Sequence, residues 1–158
     1  MGDLRRDLQI ECQLVSVTLN HLRQARAREE MTFVELAAVA AFMFNVYNGI
    51  ENMLKRIFKH YGFALPESDA WHRDLLFAAH EHNIISHDLL QLLDEYRAFR
   101  HFFVHSYGVT LDARKMLPLA EKVEDVWRRF IEEVSSYLGI SLSPENGNNN
   151  ISVEATDE

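Results

Sequence analysis

Apolar residues recur along this chain with the period of an α-helix. Leu4, Leu8, Cys12, Val15, Leu19 and Leu22 are spaced by three or four residues and draw one stripe, which predicts a long helix over roughly 3–29. Thr32-x-x-Glu35 has the form of a capping box and opens a second helix. That helix carries Leu36, Ala40, Phe44, Tyr47, Ile50, Leu54, Ile57 and Phe58 and ends near Tyr61, where Gly62 suits a left-handed cap. It is apolar on nearly all sides from Phe33 to Tyr47, so its first half is expected to be buried. After Pro66, Ser68 or Asp69 caps a short helix through Trp71, Leu75, Leu76 and Ala79.

Ser86 opens the next long helix, with Asp88 in its first turn, where the helix dipole favours a carboxylate. Leu89, Leu92, Leu93, Tyr96, Phe99 and Phe103 form its stripe, and Gly108 stops it. Asp112 caps a short turn, and Pro118 suits the first turn of a last helix that runs to Gly139. Leu119, Val123, Val126, Trp127, Phe130, Val134, Tyr137 and Leu138 fill its inward face. No alternating stretch is long enough for a strand. The expected fold is all-α: an antiparallel four-helix bundle with one extra short helix between the second and third long ones.

Composition narrows this picture. Of 158 residues 47% are apolar, enough for one well-packed domain and too many for a disordered chain. One cysteine, Cys12, allows neither an intrachain disulfide nor a cysteine-based zinc site. The longest uninterrupted apolar run, Leu36 to Phe44, has nine residues, against about 20 for a membrane span. The first residues carry no signal-peptide core, so a cytoplasmic protein with no membrane partner is expected. From 141 onward the chain is Asn-rich, acidic and free of Lys and Arg. Residues 1–140 are therefore read as the bundle and 141–158 as a disordered acidic tail.

Net charge is −8, and four of those charges sit in the tail. Acidity argues against broad nucleic-acid binding. It does not exclude a narrow basic cleft: Arg97, Arg100, Arg114 and Lys115 face only Asp112 in the segment 97–115, a local +3.

That segment holds the sharpest motif. Arg100, His105 and Tyr107 form R-x4-H-x-Y at the end of the fourth helix. Arg100 and His105 are about 140° apart on an ideal helix, so a long Arg side chain or a frayed end is needed to bring them together. The pair suits phosphodiester cleavage, with His moving protons near neutral pH and Arg stabilising phosphate charge. Metal-free RNA cleavage wants both a base and an acid. Two copies across a two-fold axis would supply two His and two Arg, so the mechanism predicts a homodimer. A purely structural pair holding the helix end is the plainer alternative.

Other polar positions carry paired readings. Glu51 is either a buried partner of Arg100 or Arg97, or an exposed residue paired with Lys55. Lys55, Arg56 and Lys59 are either a solvated helix end or a phosphate-binding patch. His101 and His105 have i, i+4 metal spacing, but no third ligand follows and no Glu lies between them, so no metal is assigned. His80, His82 and His87 read as surface or capping residues. Trp71-His72-Arg73-Asp74 reads first as a tryptophan anchor and second as a functional rim.

The motif, on an all-α bundle of this size, resembles the HEPN superfamily, and more closely the HepT-like toxins of HepT–MntA toxin–antitoxin systems. Tyr47-Asn48-Gly49-Ile50-Glu51-Asn52, Trp71-His72-Arg73-Asp74-Leu75-Leu76 and Phe99-Arg100-His101-Phe102-Phe103-Val104-His105 also look like this group. The resemblance spans about residues 5–138. It implies a homodimeric, metal-independent and cofactor-free endoribonuclease with Arg100 and His105 as catalytic pair. It also implies a minimal nucleotidyltransferase antitoxin that transfers AMP to Tyr107. Arg97, His101, Glu51 and Lys55 are then candidate substrate-binding or supporting residues. His101 stands where many HEPN ribonucleases carry Asn or Asp after the motif Arg, which keeps a second reading open: a dimerising, nucleotidyltransferase-binding module that does not cut RNA.

Overall fold

The computed structural model describes residues 1–105 and 111–144. Among them the secondary structure is five helices: α1 (Gly2–Arg26), α2 (Phe33–Tyr61), α3 (Trp71–Glu81), α4 (His87–His105) and α5 (Ala113–Leu138). Four are long and α3 is the expected short insertion. The long helices pair antiparallel. Gly49 of α2 faces Val15 of α1 while Arg56 reaches Asp7. Asn48 of α2 meets Arg100 of α4 while Phe44 meets Phe103. Ser86 meets Glu133 at one end of α4–α5, and Tyr96 meets Leu119 further along.

The second helix is the hub and packs against all four others. Its length and apolar composition, taken alone, would be enough to cross a membrane. In the bundle Val39, Met43, Val46, Ile50, Met53, Leu54 and Ile57 are core, but the first half is not buried on most sides as expected: Phe33 and Val34 are exposed and Leu36 to Ala38 are half-buried, because only one face of this end packs inward. Trp127, Tyr47, Phe58 and Phe130 are the largest fully buried side chains. The Glu35 carboxylate accepts from the Thr32 backbone N–H (3.0 Å) and hydroxyl, closing the start of α2. Gly62 and Gly139 end α2 and α5 at positive φ, where only glycine is unstrained.

Three expectations at helix ends change. Neither Ser68 nor Asp69 caps α3; Ala70 occupies that position, and the Ser68 hydroxyl instead donates to Asp74 (2.7 Å). Asp112 caps α5 itself by accepting the Arg114 N–H (3.0 Å), which starts that helix at Ala113. Pro118 therefore lies inside α5 rather than at its first position. It is exposed, so the carbonyl one turn back, which loses its helical donor, has access to water.

Residues 141–144, expected to begin the tail, lie against the bundle instead. Leu142 is only 6% exposed, the Trp127 indole donates to the Pro144 carbonyl (3.2 Å), and Gln9 exchanges hydrogen bonds with Ser143. An apolar Leu between short polar residues suffices to hold the strap down. The rest of that segment, 145–158, lies outside the described residues, as does the expected stop at Gly108.

Candidate functional site

The α2 stripe Phe44, Asn48, Glu51, Lys55 has spacings of four, three and four, so one face of an otherwise apolar helix turns polar toward α3 and α4. Arg100 of α4 lies across it. Its Nε donates to Asn48 Oδ1 (3.3 Å), its Nη1 lies 3.2 Å from His72 Nε2, and its guanidinium carbon is 5.0 Å from the Phe44 ring centroid. His72, from the first turn of α3, places its other ring nitrogen, Nδ1, 2.8 and 2.7 Å from the two oxygens of Glu51. Glu51 is 2% exposed, and the imidazole lies within hydrogen-bond reach of both its oxygens.

This geometry fixes the tautomer. An arginine only donates and a carboxylate only accepts, so a neutral His72 must carry its proton on Nδ1, toward Glu51, and accept from Arg100 at Nε2. The buried carboxylate thus reaches its cation through an imidazole. From sequence, Glu51 stands between a direct pair with Arg100 or Arg97 and an exposed pair with Lys55. Burial supports the first, but the direct partner is His72.

Electrostatics favour that neutral imidazole. Burial pushes His72 below its usual value of 6.5; Glu51 opposes the shift, and Arg100 and Lys55 reinforce it. Trp71 stacks on the ring at 3.5 Å between centroids, and Lys55 Nζ sits 4.0 Å from the Trp71 ring on α3's approach to α2. Tyr47, one turn before Glu51, is 1% exposed, and its hydroxyl lies beside the Glu51 carboxylate. Burial, then the charge of Glu51 and hydrogen bonding to it, drives its pKa well above 10, with Arg97 and Arg100 opposing.

The outer side of this network opens into a cavity of about 310 Å³ lined by Asp69, Ala70, His72, Arg73, Arg97, Arg100 and His101. Three guanidinium groups and two imidazoles face one carboxylate there. Arg97 is held by Asp94 (2.6 Å) and Arg73 lies over Phe77. A larger hollow of about 480 Å³ lies between α5 and residues 140–144, with Arg128 as its one basic residue.

The structure separates the other motif residues. His105 is exposed on the last turn of α4, its ring 4.2 Å from that of His101, and it is not among the partners of Arg100. The five-residue spacing thus has the consequence expected of a straight helix. Tyr107 lies outside the described residues. Lys55 rests on Trp71 and lines a neighbouring hollow, not the Arg100 cavity. Arg56 is taken by Asp7 and Glu11 of α1, so the basic triplet of α2 does not converge. His80 hydrogen-bonds at the Ile85 carbonyl and His82 stacks on Phe63, which are local roles. Among the described residues no three His, Cys, Asp or Glu side chains are grouped as a metal site.

A family profile described as HepT-like protein matches residues 38–140, from the second turn of α2 to just beyond α5. The chain belongs to the HepT-like family. The match covers α3, α4, α5 and most of α2, and so includes Asn48, Glu51, His72, Arg100 and His105; it leaves out α1. Searches of curated proteins and of solved structures return no match. Family membership makes this a HEPN-type, toxin-like protein. Within this HepT-like chain, Asn48 and His72 are the polar residues that the motif alone does not single out. Their signals are the i, i+4, i+7 stripe on α2 and the Trp-His-Arg-Asp run at the start of α3.

Proposed function

We propose that this HepT-like protein is the toxin of a toxin–antitoxin pair: a metal-independent endoribonuclease that acts as a homodimer. The observation that supports it is the anchoring of Arg100. With Nε on Asn48 and Nη1 on His72, the guanidinium is held by two of its three nitrogens at the edge of a cavity also lined by Arg97 and His101. Such a fork suits a phosphodiester whose non-bridging oxygens gain charge as the 2′-hydroxyl attacks phosphorus. His105 takes the 2′-hydroxyl proton or returns one to the leaving 5′-oxygen. A second copy supplies the complementary imidazole. Exposed Phe102 and Val104, on the same last turns of α4 as His105, give that copy an apolar surface beside the motif.

A cognate minimal nucleotidyltransferase is the antitoxin. It transfers AMP to the Tyr107 hydroxyl, and the bulky adenylate anion beside the cleft opposes RNA phosphate. The adenylate comes from ATP, with pyrophosphate as leaving group, whereas the RNA cleavage is cytoplasmic and needs no cofactor. Expression of the chain alone is expected to arrest growth, and co-expression with an active nucleotidyltransferase to relieve it and add one adenylate mass at Tyr107. Harmless expression of a folded chain would count against the toxin. One observation favours a second reading: Arg100 is engaged inside its own chain and does not touch His105. On that reading the protein is a dimerisation module that binds the nucleotidyltransferase without cutting RNA. Growth arrest abolished by Arg100→Ala decides for the first.

A further inference from the structure

We propose that His72, oriented by Glu51, is the positioning residue of Arg100: as a neutral imidazole it holds the guanidinium toward the cavity, and on protonation it lets go. The catalytic consequence rests on the ribonuclease reading; the positioning itself does not.

Three contacts leave the ring little freedom. Glu51 takes the Nδ1 side, Arg100 the Nε2 side, and Trp71, itself in contact with Lys55, covers one face. Around it stand Glu51 and Lys55 from α2, Arg97, Arg100 and His101 from α4, and Asp69 and Arg73 from the chain leading into and through α3. Only a ring nitrogen with a free lone pair can accept from Arg100. When Nε2 takes a proton it becomes a donor facing donors, and a cation facing a cation. The imidazolium then pairs with Glu51 alone, and Arg100 keeps only its 3.3 Å bond to Asn48. The carboxylate has two jobs in this scheme. It selects the accepting tautomer, and its charge sets the pH at which that tautomer is lost. The arrangement parallels a carboxylate–histidine pair at a metal, with arginine in place of the ion.

The test is nitrogen-resolved NMR on the full-length protein without RNA. At pH 7.5 the Arg100 Nε–H and Nη signals are expected to be sharp and slowly exchanging. They should broaden as His72 titrates on the acid side. Glu51→Gln keeps an acceptor for Nδ1–H and removes the charge that supports imidazolium, so the His72 midpoint and the release of Arg100 should move together to lower pH. His72→Ala should free Arg100 at every pH. His72→Gln, whose amide oxygen accepts but never titrates, should restore the restraint and make it independent of pH. Because His72→Ala leaves a buried carboxylate unpaired and can fail to fold, the Gln variant and the pH titration of wild type each stand without it.

An Arg100 that rotates freely in wild type at pH 7.5, or that ignores the His72 titration, overturns the inference. The second readout is the pH profile of kcat/KM for RNA cleavage. Misplacing the guanidinium by about 1 Å should cost His72→Ala roughly 10²-fold, most of it recovered in His72→Gln. The acid limb should become less steep in His72→Gln, where only the catalytic base still contributes to it, and shift to lower pH in Glu51→Gln. Identical acid limbs in wild type and these two variants would overturn the inference. If the NMR coupling holds and the wild type cuts no RNA, the ribonuclease reading fails and the positioning stands.

Discussion

Gly49 of α2 packs against Val15 of α1, next in sequence to Asn48, and Gly49→Ala tests whether that approach is as tight as the backbone indicates. A Cβ built there would meet Val15 Cγ2 at 2.5 Å, far inside the ~3.5–4.0 Å optimum for two carbons. Val15 is 3% exposed and β-branched, and Val keeps one χ1 rotamer in helices about 90% of the time, so it cannot swing aside. Two effects compete. Alanine gains about 1 kcal/mol of helix propensity over glycine. Forcing a methyl into a packed seam costs about 1–3 kcal/mol. The net expectation is destabilisation by about 1 kcal/mol, which in a chain this size lowers Tm by roughly 3 °C. Val15→Ala alone should cost about 2 kcal/mol, from two lost methyls and the cavity they leave. In the double variant the methyl added at position 49 fills that space, so the pair should be less destabilised than the sum by about 1–2 kcal/mol. Denaturant titrations of the four proteins give the cycle. A Gly49→Ala variant stabilised by the full propensity term, or strictly additive variants, would refute the close approach.

Three further outcomes are expected. Asp112→Ala removes the side-chain cap of α5 and should cost about 1 kcal/mol by urea titration, with Asp112→Asn largely sparing it. Cys12 is pushed up to about 12, by burial first and Glu11 second, so at pH 8 its alkylation should be slow in the native protein and accelerate only with denaturant. His72 contributes acid sensitivity: its folded value lies below the usual 6.5, so the unfolded chain binds the proton first. Stability should be unaffected by this group above that value and decline as pH falls beneath it. Wild type should therefore lose stability relative to His72→Gln in acid denaturant titrations, and parallel curves would contradict the assignment.

Much of the fold was legible because helical stripes bury themselves with little ambiguity. Leu4 to Leu22 all lie in the core at their expected spacings, and Thr32, Ser86, Gly62 and Gly139 act where local chemistry places them. The errors fall where a long-range contact outweighs a local signal. Leu142 and Trp127 hold residues 141–144 on the bundle although their composition reads as tail. Pro118 sits inside α5 because Asp112 nucleates that helix well before the proline.

The site divides the same way. Arg100 is legible because it sits in a spaced motif; Glu51 is only half legible, since the sequence leaves it open between burial beside an arginine and an exposed pair with Lys55, and its direct partner is His72. His72 is 21 residues from Glu51 and 28 from Arg100, and no local periodicity reports a ring that bridges three helices. Its neighbour Trp71 is the more conspicuous residue in the sequence, and Trp71 proves to be the support on which the His72 ring rests.

The most direct measurement is RNA cleavage by the purified full-length chain in the presence of EDTA, with Arg100→Ala and His105→Ala in parallel. The account predicts cutting by wild type, undiminished by the chelator, and a loss of at least about 10²-fold in each variant. Cutting that survives both substitutions, or a folded wild type that leaves RNA intact, would contradict it.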